Sequence, residues 1–278
     1  MKNYLESNYN LEDHNLVSVI DELPLWSAPF GLSLLDHVQL KKEINALDIG
    51  FGTGFPLLEL AMRLGNSSKV FGIDPWQAAI DRTKQKITQI GISNIDIIKG
   101  VAEKIPLPDN CIDLLISNNG INNVTDLNKT LEECSRVAKS GAQFVLTVNL
   151  QETMIEFYNI YEEILIENML EIYLPGIKNQ IYKKRKPLNE LKSLLSANGF
   201  EVNKVIEDKF QYHFVDGTSM FNHFLISLAF LDSWKNIIPR KYQEQIFEQI
   251  EARINNIALQ QGVFSLNVPY VTINCRKT

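Results

Sequence analysis

The chain has 278 residues, enough for one large domain or for one domain with a substantial addition. Its hydrophobic content of 45% and charged content of 22% are ordinary for a globular protein, and its net charge of -6 argues against nucleic acid as the main partner. Three widely spaced cysteines predict reduced thiols without a disulfide framework or a zinc site. Because we find no signal core and no apolar stretch long enough to span a bilayer, we expect a cytoplasmic protein.

Residues 1–45 precede the first predicted strand, and we expect them to form an N-terminal helical lid. Helical apolar spacing covers two segments, 17–23 and 33–40. Between them lies a proline-bounded loop, 24–31, which carries Trp26 and Phe30. Two interpretations stay open: the two aromatic side chains fix the N-terminal helices to the core, or they belong to a lid that contacts a bound ligand.

A strand, a glycine-rich turn and a helix follow one another from Ala46 onwards. The apolar run 46–49 predicts a buried parallel strand, and helical spacing begins at Pro56. Three glycines stand between them at alternate positions, Gly50, Gly52 and Gly54. Glycines allow a tight turn and a close ligand, and the following helix offers free N–H groups. In the dinucleotide fingerprint the third glycine would come one residue later, where this chain has Phe55.

The second predicted strand, 69–74, ends in an acid. Asp74 follows the glycines by roughly 20 residues, the separation expected of an acid that accepts hydrogen bonds from both ribose hydroxyls of a nucleotide-like ligand. The alternative for a single aspartate here is a helix cap, because Pro75 opens the next helical segment.

Three further strands, 95–100, 112–118 and 143–149, alternate with helical segments and predict an α/β fold with a parallel sheet. Ligands of such sheets bind beyond the carboxyl ends of the strands, where the strand order reverses. We therefore expect the glycine turn and Asp74 to share one crevice with the residues that follow the third and fourth strands, namely Ala102, Glu103, Asn118 and Asn119.

Four motifs now support a resemblance. Leu-Asp-Ile-Gly-Phe-Gly-Thr-Gly (47–54) resembles the nucleotide-binding motif of class I S-adenosylmethionine-dependent methyltransferases, and Phe-Gly-Ile-Asp-Pro (71–75) resembles their acidic second motif. Residues 99–118 and 131–142 are similar to later motifs of the small-molecule branch that includes the ubiquinone and menaquinone methyltransferases. The resemblance covers roughly 45–150. It implies a Rossmann-like, mostly parallel seven-stranded sheet with helices on both faces.

The resemblance also implies S-adenosyl-L-methionine as the cofactor and S-adenosyl-L-homocysteine as its product. The glycines would contact the methionine and ribose parts, Asp74 the ribose diol and Trp76 the adenine edge. The full set expected to bind the cofactor is Asp48, Gly50, Gly52, Gly54, Asp74, Trp76, Ala102, Glu103 and Asn118. Val101 departs from the branch, which often has an aspartate there, so the adenine contact falls to the Ala102 N–H, to Glu103 or to a water.

The second half of the chain must then supply the methyl-acceptor site. We expect residues 46–150 to form the cofactor-binding core and 151–278 to complete the sheet, with a helical cap inserted at 151–185 and 216–262. A closing antiparallel hairpin is expected at about 201–214 with 266–275. The residues proposed to contact the acceptor are Trp26, Phe30, Tyr158, Tyr182 and Asp216.

His213 and His223 are the predicted catalytic residues, because histidine is the side chain that titrates unperturbed near neutrality. They stand near Asp216 in the sequence, and the alternative is a structural set at a strand end. No third and fourth ligands are suitably spaced for zinc, so we expect no metal.

The sequence thus predicts a methyltransferase that acts on a small organic acceptor by in-line transfer. Two alternatives stay open: an NAD-type oxidoreductase on a Rossmann-like fold, and a non-catalytic S-adenosylmethionine-binding module. The expected partner is the small-molecule acceptor, without nucleic acid and without a membrane span. A homodimer through the helical cap is also left open.

Overall fold

The computed structural model describes residues 3–6, 8–22 and 26–278, and its central element is a seven-stranded sheet. The strands are β1 (Asn45–Ile49), β2 (Lys69–Asp74), β3 (Ile95–Lys99), β4 (Ile112–Asn118), β5 (Ala138–Asn149), β6 (Phe200–Phe214) and β7 (Phe264–Lys277). They lie in the order β3-β2-β1-β4-β5-β7-β6. β1 to β5 pair in parallel, and β7 runs antiparallel to β5. The predicted mostly parallel seven-stranded sheet is confirmed.

The central strands read as continuous apolar runs because both of their faces are covered. In β1 the last four of its five residues are buried, and β4 buries five of its seven. β1 lies between β2 and β4, so the strand order reverses at β1. The turns that follow β1 and β4 therefore flank the crevice in which such sheets bind ligands.

Helices connect the strands. They are α1 (His14–Glu22), α2 (Ser27–Asp36), α3 (Leu57–Leu64), α4 (Gln77–Ile90), α5 (Leu127–Val137), α6 (Ile155–Glu167), α7 (Leu174–Lys184), α8 (Leu188–Ala197), α9 (Gly217–Asn222), α10 (Phe224–Ala229), α11 (Leu231–Lys235) and α12 (Arg240–Gln261). Short 3₁₀ helices cover Asn3–Glu6, Gly120–Asn123 and Glu171–Tyr173. Within the described ranges, no helix is both long and apolar enough to cross a membrane.

The chain divides into two compact units. The first, which we call the core unit, comprises Asn10–Asn149, Pro187–Asp208 and Tyr270–Thr278. The second, the helical unit, comprises the described part of Met1–Tyr9 together with Leu150–Lys186 and Lys209–Pro269. The long segments of the helical unit overlap the cap segments predicted at 151–185 and 216–262. The assignment of these segments as a cap stays a prediction.

Each unit has its own apolar interior. In the core unit, Leu34 and Leu35 of α2 pack with Leu57 and Leu60 of α3 against the buried faces of β1, β2 and β4. The helical unit is centred on aromatic side chains: Phe157 of α6 stacks on Trp234 at 3.8 Å between ring centroids, and Tyr4 stacks on Phe221 at 4.8 Å. Large rings of this kind contribute most of the apolar area that a helical interior buries.

The N-terminal helices differ from the prediction. The prediction of a loop at 24–31 is wrong from Ser27 onwards, because α2 begins at that residue. Residues 23–25 lie outside the described ranges. Pro29 is tolerated since it stands in the first turn, where a helical N–H has no intrahelical partner in any case. The helix predicted at 33–40 also ends earlier than expected, at Asp36.

A second difference concerns the segment predicted as one helix at 218–231. The structure has two short helices there, α9 and α10, and a third, α11, begins at Leu231. The break falls at His223, whose backbone is extended (φ -66°, ψ 130°) and caps the helices on both sides. A continuous apolar pattern does not report such a break, because it fixes the spacing of side chains and not the backbone angles of one residue.

Candidate active site

The glycine turn after β1 is tied to the end of β2. The Gly50 N–H donates to the Ile73 carbonyl at 2.9 Å. Asp74 accepts from the Gly52 N–H with one carboxylate oxygen and from the Trp76 N–H with the other, both at 2.8 Å. The aspartate thereby fixes both the turn and the start of α4. It is 6% exposed, so its remaining lone pairs lie at a nearly closed surface.

The three glycines are required for different reasons. A Cβ on Gly50 would lie 2.8 Å from the Cα of Gly120, and one on Gly54 would lie 2.5 Å from Leu58 of α3. A Cβ on Gly52 would meet no described atom within 4 Å, although its backbone also has a positive φ of 53°. Gly50 is therefore required by its contact with the Gly120 backbone, and Gly54 by its positive φ of 107°. Gly52 leaves open space above the turn for a ligand.

Two buried carboxyl groups border the turn. Asp48 in β1 is fully buried, and neither of its carboxylate oxygens has a hydrogen-bond partner among the described residues. Burial, with a smaller effect from the charge of Asp74, raises the pKa of Asp48 well above its usual range. The nearby Leu57 N–H, which falls short of hydrogen-bond geometry, lowers that pKa by less.

Burial also raises the pKa of Asp74, while its bonds from the Trp76 and Gly52 N–H groups oppose the rise. Two buried acids with no basic partner within the described ranges favour a ligand that carries positive charge, since a cation near a carboxylate stabilises its ionised form.

Polar side chains that follow β3 and end β4 form hydrogen bonds to other parts of the chain. Glu103 accepts from the Thr125 and Asp126 N–H groups at 2.7 and 3.0 Å, directly before α5 begins. Ala102 beside it is 8% exposed. Asn118 at the end of β4 accepts from the Thr147 hydroxyl at 2.9 Å and donates to the Ser27 carbonyl at 3.1 Å.

The N-terminal helices lie against the same region of the core unit. Asp21 of α1 accepts from Arg82 at 2.8 Å and from Lys86 at 2.6 Å, both on α4. A hydrogen bond from the Thr53 side chain, in the glycine turn, also reaches Asp21. The indole N–H of Trp76 donates to the Leu11 carbonyl at 2.8 Å. Trp76 thus contacts the segment before α1 as well as starting α4.

Helix α2 covers the other side of the turn. A Cβ on Gly31 would lie 2.2 Å from the ring of Phe55, so this glycine allows α2 to approach the residue that stands where a dinucleotide motif has its third glycine. Phe30 is fully buried between Trp26 and Tyr270, with ring centroids 5.3 and 4.8 Å away. This packing supports the interpretation of Trp26 and Phe30 as anchors of the N-terminal segment. Their predicted contact with an acceptor stays a prediction.

The other predicted acceptor contacts belong to the helical unit. Tyr158 is 1% exposed, and its hydroxyl donates to Gln180 at 2.7 Å and accepts from Trp234 at 3.1 Å. Tyr182 is exposed, with the ammonium of Lys186 3.8 Å from its ring centroid. Asp216 caps α9 by accepting from the Ser219 N–H at 2.6 Å.

The two predicted catalytic histidines are separated by the geometry of β6. Tyr212 and Phe214 both contact the ring of His223, at centroid distances of 5.9 and 5.4 Å. Because side chains alternate along a strand, His213 points to the opposite face. It is exposed there, with Nδ1 2.8 Å from the Ser265 hydroxyl. The expected grouping of both histidines with Asp216 is therefore not formed.

His223 has an environment of its own. Burial lowers its pKa, and its Nδ1 atom is buried without a partner among the described residues. No group of three or more His, Cys, Asp or Glu side chains that could hold a metal ion is found in the part of the chain that the structure describes.

Several residues of the site gave no signal in the sequence. Asp21 pairs with residues about 60 positions later, and a Cβ on Gly120 would lie 2.1 Å from the Ile49 carbonyl oxygen. Asn119 was expected only as part of the crevice, yet its side-chain nitrogen is buried and unpaired among the described residues. Contacts of this kind depend on the folded arrangement, so no local pattern could have revealed them.

Comparison with known proteins finds a match to part of the chain. Residues 40–163 match the family model of a methyltransferase domain. A demethylmenaquinone methyltransferase of Geobacillus sp. (strain WCH70) is 32% identical to the chain over 127 residues, which are 46% of this chain and 54% of the relative. The chain thus spans about half the length of the curated relatives that it matches.

Solved structures share the fold over more of the chain than the family model covers. A putative methyltransferase from Bacillus halodurans aligns over 89% of this chain and 98% of its own, with a TM-score of 0.58 and 18% identity. An S-adenosylmethionine-dependent methyltransferase from Aquifex aeolicus aligns over 70% of this chain and 92% of its own, with a TM-score of 0.51 and 24% identity. At sequence identities this low, the structural similarity indicates a shared fold and nothing further.

Proposed function

We propose that this protein is an S-adenosylmethionine-dependent methyltransferase that acts on a small organic acceptor. The observation that carries the proposal is the open glycine turn at Gly52, bordered by the buried carboxyl groups of Asp48 and Asp74. A cationic ligand with a ribose diol fits this combination of an open backbone and unneutralised acids. The match of residues 40–163 to a methyltransferase domain supports the same conclusion.

The residues present fit the cofactor. Asp74 would accept from the ribose hydroxyls through its remaining lone pairs, and Asp48, whose oxygens lack partners, would supply negative charge beneath the turn. Gly50, Gly52 and Gly54 have no side chains, so the cofactor could approach the backbone of the turn closely. The remaining residues of the proposed cofactor set are Trp76 at the adenine edge, Ala102 and Glu103 beside the base, and Asn118 near the methionine part. S-adenosylmethionine would supply an electrophilic methyl group bonded to a positively charged sulfur.

The protein's part in the reaction is mainly to position the acceptor, because in-line displacement needs the accepting atom behind the methyl carbon. We propose Trp26, Phe30, Tyr158, Tyr182 and Asp216 for acceptor contact. The relatives' name, demethylmenaquinone methyltransferase, is given to proteins that match under half of this chain, so we propose a small organic acceptor and no particular quinone.

For acceptors that must lose a proton, we propose His223 as the general base, with His213 as the second choice. Burial lowers the pKa of His223, so its imidazole is neutral and able to take a proton at neutral pH. His213 is exposed, and its Nδ1 atom already contacts Ser265. A cytoplasmic location and a homodimer through the helical cap are proposed on the sequence alone.

Calorimetry on the full chain tests the proposal with S-adenosylmethionine, S-adenosylhomocysteine and NAD as ligands. We expect the first two to bind and NAD not to bind. Asp74→Asn should weaken S-adenosylmethionine about 10- to 100-fold, because it removes the charge from hydrogen bonds that contribute about 1.5–3 kcal/mol. Asp96→Asn is the matched control: it removes an exposed carboxylate of β3, paired with Lys69, away from the turn.

Tight NAD binding without binding of the other two ligands would overturn the proposal. Binding of S-adenosylmethionine without turnover on a broad panel of small acceptors would instead indicate a binding module. An equal loss of affinity in Asp74→Asn and Asp96→Asn would show that Asp74 has no specific role.

A further inference from the structure

Arg185, at the end of α7 in the helical unit, is the most buried arginine of the described chain. Its side chain is 3% exposed, whereas the flanking Lys183 and Lys184 are exposed. Its backbone N–H caps the helix by donating to the Ile181 carbonyl at 2.8 Å. The backbone N–H of Arg185 is therefore hydrogen-bonded. Its guanidinium still needs a partner of opposite charge.

Among the described residues, none balances the charge of the Arg185 guanidinium. The Nε and Nη1 atoms of Arg185 are buried without a hydrogen-bond partner, and no ion pair reaches its guanidinium. More exposed arginines of the same chain are paired: Arg253 binds Glu163 and Glu167, and Arg136 binds Glu133 and Asp109. Among the described residues, the arginine for which pairing matters most is thus left unpaired.

The energetic cost of this arrangement is large. A guanidinium stays protonated in proteins, so it cannot escape burial by losing its charge. Placing an ion of this kind in a protein interior is costly even after relaxation. The carbonyl end of α7 is favourable for a cation, but a helix terminus offsets only a small part of that cost. The guanidinium therefore needs an anion that the described residues do not provide.

We propose that Arg185 is the anchor of an anion-binding site in the helical unit, and that its ligand carries a carboxylate or a phosphate group. The guanidinium has the planar geometry and the several N–H donors that match both groups. Lys183 and Lys184 add positive charge next to it and favour the approach of an anion.

The proposed ligand of Arg185 is thus a small molecule with an acidic group, and this inference goes beyond the proposed function of the core unit. Anion binding itself does not depend on methyl transfer. It is measured without cofactor or turnover, so its failure and the failure of the proposed function are separate results.

The test follows thermal unfolding and calorimetric binding of the full chain with inorganic phosphate and, separately, with benzoate, at constant ionic strength. For the wild type we expect a saturable rise in melting temperature with at least one probe, and the comparison of the two separates a phosphate site from a carboxylate site. Arg185→Met should melt no lower than the wild type without a probe, because it removes a buried unpaired charge. It should bind the effective probe at least about tenfold more weakly. Arg240→Met, which removes an exposed arginine of the same unit, should respond as the wild type does.

Three results would overturn the proposal: a wild type that responds to neither probe, an Arg185→Met variant that keeps the full response, or an equal loss in Arg240→Met. If Arg185→Met does not fold, Arg185→Lys decides the question, because it keeps the charge and loses the planar fork. At least about tenfold weaker binding in that variant supports the site, and unchanged affinity for both probes contradicts it.

Discussion

At the scale of single residues, the most informative side chains have buried polar atoms that find no partner in the part of the chain that the structure describes. These are Asp48, Asn119, Arg185, Tyr212 and His223. Because buried polar groups are nearly always hydrogen-bonded in folded proteins, a group without a partner points to a ligand, a water or a chemical role. Asp48 and Asn119 lie in the core unit, and the other three in the helical unit.

His223→Gln tests one of these roles. We expect kcat/KM to fall by about 10²- to 10⁴-fold for an acceptor whose reacting atom carries a proton, because a general base contributes that much. Since burial lowers the pKa of His223, wild-type activity should persist to a lower pH than an unperturbed imidazole would allow and then decline as His223 protonates. Initial rates across pH, measured as S-adenosylhomocysteine formed, give both quantities.

His213→Gln is the control for that substitution. It removes an exposed imidazole on the opposite face of β6 and should leave kcat/KM within about twofold. If both variants keep wild-type rates, or if His213→Gln causes the larger loss, the assignment of His223 is wrong.

At the scale of elements, helix α1 is held to α4 by two ion pairs that share one acid. Asp21 contacts Arg82 and Lys86, and its side chain is 11% exposed while theirs are 27% and 25% exposed. Burial raises the pKa of Asp21, but the hydrogen bonds from Lys86 and Arg82 lower it by more in total, so the net shift is downward. A lowered acid pKa stabilises the fold above the unfolded value of about 3.9, and this contribution is lost as the pH falls through the folded value.

Asp21→Asn should therefore loosen α1. Two partly buried pairs contribute about 1–2 kcal/mol together, which corresponds to about 5- to 30-fold faster hydrogen exchange of the amides of α1 at neutral pH. Glu22→Gln, which removes the neighbouring exposed carboxylate, should leave those rates near the wild-type values. Equal exchange in the two variants at neutral pH would contradict the role of the pairs.

At the scale of the whole molecule, ligand binding should raise the free energy of unfolding. A ligand that binds only the folded protein adds about 2.7 kcal/mol at 100 times its dissociation constant. For a chain of this size we expect S-adenosylhomocysteine to raise the melting temperature by about 5–10 °C under that condition. NAD at the same concentration should have no effect, and Asp74→Asn should show a reduced shift. A similar rise with NAD would speak against the proposed site.

The fold was largely predictable because its signals are local. The apolar runs of β1 and β4 predict buried parallel strands, and the structure contains them. The glycine turn with Asp74 predicts the edge at which a ligand would bind, and that part stays a prediction. The 218–231 segment was not predictable in detail, since the break at His223 is a backbone angle that apolar spacing does not encode. The ion pairs of Asp21 with Arg82 and Lys86 could not be predicted from the sequence for another reason. They join residues about 60 positions apart and form only when the chain has folded.

The close contact between Gly50 and Gly120 has a kinetic consequence under the proposed function. The backbones of the turns after β1 and β4 touch there, as the 2.1 Å between a hypothetical Cβ on Gly120 and the Ile49 carbonyl oxygen shows. A ligand cannot pass between these two contacting backbones, and a Cβ on Gly52 would meet no described atom within 4 Å. Under the proposed function, spent cofactor must leave these contacts before fresh cofactor can occupy them, so release of S-adenosylhomocysteine is a step of every turnover.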